Sequence, residues 1–169
     1  VKDRTFLLRR KPEQIADTTA MLKAMDPEES YLLVDGYNII FAWDDLRAMA
    51  RESISLARET LIRLLVNYQG YKKCNLILVF DAYKVSGGEE KVEKNGGIYI
   101  VYTKEAEIAD VYIERVTSEL KKVTGLVRVA TSDGLEQLIV LGRGALRVPA
   151  RAFREEVDRA CGELDDLMR

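Results

Sequence analysis

The chain alternates short apolar runs with longer amphipathic stretches. Tyr31–Val34, Asn75–Phe80, Ile98–Tyr102, Leu126–Ala130 and Ala145–Val148 predict strands; Asn75–Phe80, a continuous apolar run too short for a helix and flanked by polar residues, predicts a central one buried on both faces. Helical spacing fills the intervals. Ile54, Ala57, Leu61, Leu64, Leu65 and Tyr68 share one stripe of a helix over 52–71, with Gly70 as its stop. Ile108, Val111, Tyr112, Val116, Leu120 and Val123 do the same over 105–123, and Phe153, Val157, Cys161, Leu164 and Met168 after Pro149. Shorter helices are predicted over 12–25, from Ile15, Thr19, Leu22 and Met25, over 44–50, and from Asp133 through Val140. Between Ala82 and Gly97 the pattern collapses into glycine, lysine and glutamate, a flexible loop or a frayed hairpin. Strands alternating with helices predict an α/β fold, a three-layer α/β/α sandwich around a mainly parallel sheet of about five strands. Residues 1–30 read as a basic N-terminal arm plus helix, and 31–169 as one domain without an internal repeat.

Composition removes several kinds of chemistry. The chain has no histidine, so Ser-His-Asp and Cys-His catalysis and histidine-held zinc are excluded. Cys74 and Cys161 lie far apart with no neighbouring ligand residue, which argues against a disulfide framework or a zinc site. There is no G-x-x-x-x-G-K-[ST] and no G-x-G-x-x-G after a strand, so no nucleotide cofactor is expected. The longest uncharged stretches fall short of a membrane span and no signal-peptide pattern opens the chain; a soluble, cytoplasmic protein with no membrane partner is expected. With a net charge of -2 the molecule is not a basic body, and any nucleic-acid contact must come from a local patch.

The acids supply the candidate chemistry. Asp35, Asp81 and Asp133 each follow an apolar strand closely, and Asp110 sits near the start of a helix. In a parallel sheet, strands that end in this way deliver their carboxylates to one rim, where such folds bind ligands. Oxygen-only ligands suit Mg2+ or Mn2+, and an ion so held can activate water against a phosphodiester without histidine. Structural readings stand beside this one: an Asx-turn at Asp35 and Gly36, a capping box between Asp133 and Glu136, a solvated strand end at Asp81, and a first-turn acid at Asp110. Asn38 and Ser132 are candidates to orient a water or a phosphate oxygen, or else a helix cap and a turn hydroxyl. Lys84 and Lys104 follow the second and third strands as candidate phosphate contacts, with Lys91 and Lys94 as solvated alternatives. Tyr37, Trp43 and Tyr83 could stack on bases, core packing being the simpler role for Trp43. An aspartyl phosphatase built on Asp35 would want an acid two residues on, where this chain has Tyr37.

Four blocks carry a resemblance: Val34–Ile40 (VDGYNII), Val79–Val85 (VFDAYKV), Val101–Glu114 (VYTKEAEIADVYIE), and Val129–Asp133 (VATSD) followed by Glu136 and Gln137. In this order, over most of the chain from residue 31, they resemble the YacP-like NYN family of PIN-like nucleases. The resemblance implies a PIN-like fold and a Mg2+- or Mn2+-dependent endoribonuclease. It carries catalytic and metal roles onto Asp35, Asp81, Asp110 and Asp133, and matches Asn38 to the family's amide position. It further implies an RNA substrate, messenger RNA on the ribosome, with the ribosome as a partner. The chain departs from the family around the third acid, where Ile108 and Val111 flank Ala109 and Asp110 in place of small hydroxyl residues. The non-enzymatic rival is an RNA- or ribosome-binding module with a structural metal site.

Overall fold

The computed structural model describes residues 11–82, 88–123, 126–132 and 145–167. In chain order these form β1 (Glu13–Ile15), α1 (Thr18–Ala24), β2 (Tyr31–Asp35), α2 (Gly36–Ala42), α3 (Asp44–Glu52), α4 (Ile54–Lys72), β3 (Asn75–Phe80), β4 (Lys91–Asn95), β5 (Ile98–Tyr102), α5 (Ala109–Leu120), β6 (Val127–Ala130), β7 (Leu146–Val148) and α6 (Ala150–Leu167). The predicted arm over 1–10, the helix predicted from Asp133 through Val140, and the side chains of Leu164 and Met168 lie outside the described residues.

The five apolar runs are the parallel part of the sheet, in the order β5-β3-β2-β6-β7. Two strands absent from the sequence reading extend one margin antiparallel, β4 on β5 and β1 on β4, making seven in the described sheet rather than about five. Both are polar. β4 buries only Val92 fully, and β1 only half-buries Ile15. Strands at a sheet margin need no continuous apolar run, so periodicity does not reveal them. Of the two readings open for residues 82–97, the hairpin holds for the C-terminal part, where Gly96 at φ 58 makes the tight turn from β4 into β5.

Three helices also differ from expectation: the one predicted over 105–123 spans only Ala109–Leu120, and Ile108, Val111 and Val123 of its predicted buried stripe are exposed. The helix predicted from Pro12 begins only at Thr18, where Asp17 accepts the Ala20 N–H at 2.8 Å as N-cap, because Glu13–Ile15 is drawn into the sheet. Helix α4 runs through Gly70 and ends at Lys73, which adopts the left-handed conformation at φ 53. Gly70 is exposed, so nothing in the packing there stops the helix.

Side chains alternate across the sheet and build two cores. Leu32, Val34, Leu76, Leu78 and Phe80 face α2, α3, α4 and α6, while Tyr31, Leu33, Ile77, Val79 and Val101 face α1 and α5. Met21 and Met25 are buried in the second core, so the segment before Tyr31 packs into the same body. The chain leaves β2 toward β3 on one side and later returns to β6 on the other, which puts the reversal of strand order between β2 and β6. In such sheets ligands bind beyond the strand C-termini at that point. No helix among the described residues is long and apolar enough to cross a membrane.

Candidate active site

Asp35 ends β2, and α2 starts at the next residue. Nothing larger than glycine fits there. A Cβ on Gly36 would lie 2.3 Å from Cε1 of Phe80, a fully buried ring that ends β3. Contact between Gly36 and that ring draws the ends of β2 and β3 together, and Asp35 and Asp81 with them. Tyr37 and Tyr102 pack on the same ring, with centroids 4.9 and 5.9 Å away.

Asp81 brings in the third acid. Its Oδ1 accepts the N–H of Ala109, the first residue of α5, where Ile108 has no side chain able to cap. A strand-end aspartate therefore caps a helix from another part of the chain and fixes Asp110 in that helix's first turn. Asp35, Asp81 and Asp110 line one cavity of about 320 Å³ with Tyr37, Asn38, Phe41, Ile108 and Ala109. Phe41 and Ile108 are about half exposed and form an apolar lip around the acids.

Electrostatically this rim is unfinished. Burial pushes the Asp81 carboxyl above its ordinary range; the Ala109 N–H opposes the shift and neighbouring Asp110 adds to it. Asp110 Oδ1 accepts the Val111 N–H at 2.9 Å. Among the described residues, neither Asp81 nor Asp110 has a cationic side chain within ion-pair distance. Asp35 is 8% exposed and does not cap α2.

Asn38 lies in the first turn of α2, earlier than the helix the sequence suggested. Its Oδ1 accepts from Thr131 Oγ1 at 3.1 Å, Ser132 N at 2.5 Å and Ser132 Oγ at 2.8 Å. The amide thus clamps the end of β6 to the start of α2 across the strand-order reversal, and its Nδ2 has no acceptor among the described residues at the cavity Asn38 lines. Ser132 serves that clamp and does not itself line the cavity. Lys104 is exposed and lines neither the acidic cavity nor its neighbour. Asp133, Lys84 and Tyr83 lie outside the described residues. Trp43 is core: it is 4% exposed and its Nε1 donates to the Ala150 carbonyl at 2.9 Å. Lys94 sits over the Tyr99 ring at 5.5 Å, and Lys91 lies 3.5 Å from Glu93.

Two residues at the site were not singled out by the sequence reading. In the sequence Phe41 is one apolar position among several and Arg58 a polar position of a helix; the fold brings Phe41 to the acidic cavity and Arg58 against Tyr37. Arg58 donates to the Tyr37 hydroxyl at 3.1 Å. Volume alone would choose a different place. The largest described cavity, about 670 Å³ between α4 and the β4–β5 turn, has Lys11, Arg63 and Lys94 on its wall and no carboxylate.

Comparison with known proteins gives the family and the fold. A model of the YacP-like NYN domain matches residues 32–168. The YacP protein of Bacillus subtilis (strain 168), an uncharacterized protein, is 42% identical over 127 residues, 75% of this chain and 74% of that one. The crystal structure of Rae1 (YacP) from Bacillus subtilis superposes with a TM-score of 0.72 at 39% identity, over 86% of this chain and 80% of that one. A mutant of the same protein gives 0.69 at 36% identity, over 81% and 80%.

Proposed function

This chain belongs to the YacP-like NYN domain family, with its PIN-like nuclease fold, and from that premise we propose that it is a divalent-metal-dependent endoribonuclease. The observation that carries the reading is the convergence of Asp35, Asp81 and Asp110 on one cavity at the C-terminal rim of the parallel sheet. Acids on three separate elements meet there, and among the described residues no nearby cation neutralises Asp81 or Asp110.

The donor set fits Mg2+ or Mn2+. Among the described residues, no three acids or thiols close tightly enough to cage an ion by themselves. That openness favours an ion shared with substrate over a structural one, since Mg2+ is commonly held by one or two carboxylates together with substrate phosphate and water. When bound, such an ion would polarise the scissile phosphate and lower the pKa of the attacking water. Asp35, Asp81 and Asp110 would hold it, with Asp133 as the fourth acid of the proposed set. Asn38 would donate from Nδ2 to a phosphate oxygen, and its bonds to Thr131 and Ser132 would fix the direction of that donor. Phe41 and Ile108 would flank the nucleotides on either side of the bond. Lys104 and Lys84 remain candidate outer contacts to the backbone. Messenger RNA bound to the ribosome is the substrate that the family resemblance favours.

The test is cleavage of a long single-stranded RNA with Mn2+, Mg2+ or EDTA by the full chain and by Asp35→Asn. Cutting that needs metal and disappears in the variant is expected. Binding without cutting, both on free RNA and on translating ribosomes, would return the protein to the RNA-binding module.

A further inference from the structure

A second cavity, of about 570 Å³, opens beside the acids. Ala82, the residue after Asp81, lines it, and so does Arg58, whose Nη1 donates to the hydroxyl of Tyr37 in the acidic cavity at 3.1 Å. The Arg58 and Tyr37 pair is therefore the wall that the two cavities share. We propose that this second cavity seats the base of a nucleotide next to the scissile phosphate, a base bearing an exocyclic amine, while Arg58 holds the phosphate that joins it to the acidic site. The proposal rests on the nuclease reading above.

Charge decides which end of a nucleotide goes where. Arg47, Arg115, Arg128 and Arg154 each meet a carboxylate within 4.0 Å. Arg58 meets only neutral oxygens, Tyr37 Oη and Ser55 Oγ, both at 3.1 Å. Two acceptors orient the guanidinium and leave its charge unmatched among the described residues, an arrangement suited to a phosphate. The cavity behind it has the opposite sign. Glu89, Glu90, Glu93 and Glu105 line it against Arg58 and Lys91. Glu90 is taken by Thr18 and Arg115, and Glu93 by Gln14 and Lys91. The carboxylates of Glu89 and Glu105 have no hydrogen-bond partner among the described residues. Acceptors of this kind repel phosphate and attract N–H donors, as a carboxylate does on the amine of cytosine.

An independent observation points to the same ligand position. Thr103, also on the cavity wall, is 0% exposed, and its hydroxyl has no hydrogen-bond partner among the described residues. Buried hydroxyls are almost always satisfied, and a polar group entering the cavity would complete this one. Tyr102 adds an aromatic surface braced from behind by Phe80.

The experiment is equilibrium binding of fluorescent RNA 12-mers of A, C or U to the full chain in EDTA, where nothing is cut, over a salt series. Oligo(A) and oligo(C) are expected to bind about ten- to a hundredfold more tightly than oligo(U), the size of one charge-assisted hydrogen bond gained. Glu89→Ala with Glu105→Ala should erase that preference by bringing oligo(U) level with the other two, since removing two negative charges also eases phosphate binding by all three. Arg58→Gln should weaken all three alike and lower the salt dependence by about one phosphate contact. Equal affinity for the three oligomers, or an Arg58→Gln variant that binds as the parent does, overturns the proposal. If metal-dependent cleavage persists in that case, the subsite falls and the nuclease stands; absence of both binding and cleavage removes both.

Discussion

Two acidic groups flank the start of α5, and they are finished differently. Glu107, 8% exposed, accepts from Arg115 Nε at 3.1 Å and Nη2 at 3.0 Å; Glu90 accepts from Arg115 Nη2 at 3.2 Å and from Thr18 Oγ1 at 2.7 Å. That cluster supplies its own cation and ties β4, α1 and α5 together. Three residues beyond Glu107, Asp110 meets Asp81 and Asp35 at a cavity, and neither Asp81 nor Asp110 has a cation beside it among the described residues. Burial alone would favour matched charges, as the first cluster has. Asp81 and Asp110, without a cation beside them among the described residues, are the part of that rim on which the proposed ion would act.

The contrast can be broken in order of expected effect. Asp35→Asn removes a carboxylate from the open group and should lower RNA cleavage by about a thousandfold or more while the circular dichroism spectrum stays unchanged. Gly36→Ala forces a Cβ onto the Phe80 ring and should cost about 2 kcal/mol in denaturant unfolding, with cleavage falling because Asp35 and Asp81 are pushed apart. Arg115→Ala strips the cation from the closed group; because Arg115 is nearly half exposed, about 1–2 kcal/mol is expected, with cleavage near the parent level. A large loss of cleavage there would merge the two clusters into one functional unit.

The smallest effect sharpens the contrast by its sign. The folded chain holds the Asp81 carboxyl above the ordinary carboxylate range, so between the unfolded and folded values it binds more protons than the unfolded chain. Stability from this group is present at low pH and lost as pH rises through that window. At neutral pH without metal, Asp81→Asn should therefore raise the Tm slightly, the amide oxygen still capping Ala109. A lowered Tm would mean that the Asp81 charge is matched after all.

How far the sequence could be read follows from the same physics. β2, β3 and β5 were legible because burial on both faces demands unbroken apolar runs, β6 and β7 as shorter apolar stretches that Arg128 and Arg147 interrupt, with Leu146 in β7 exposed; three acids were placed because each stands at the end of a strand or the start of a helix. β1 and β4 were not legible, since marginal strands carry polar residues whose partners are distant in sequence. The helix assigned to Pro12 onward matched a 3.6-residue spacing by coincidence; the pairing of Ile15 with Val92 overrides it. Arg58 was hidden for a related reason. A polar residue on a helix reads as solvated face until the fold shows that Tyr37, twenty-one residues earlier, stands opposite it. Asn38 was visible as an amide near the rim, while its clamp on Thr131 and Ser132 depends on β6 lying beside β2.

The most direct test of the central claim is where a divalent ion binds. Mn2+ broadens nearby amide signals in a nitrogen–proton correlation spectrum, so substoichiometric Mn2+ added to the labelled full chain locates the site even when binding is weak. Gly36, Ala82, Ala109 and Val111 are expected to broaden first, Glu90 and Arg115 to persist, and Asp35→Asn to abolish the pattern. Broadening centred on another part of the surface, or unchanged in Asp35→Asn, would contradict it.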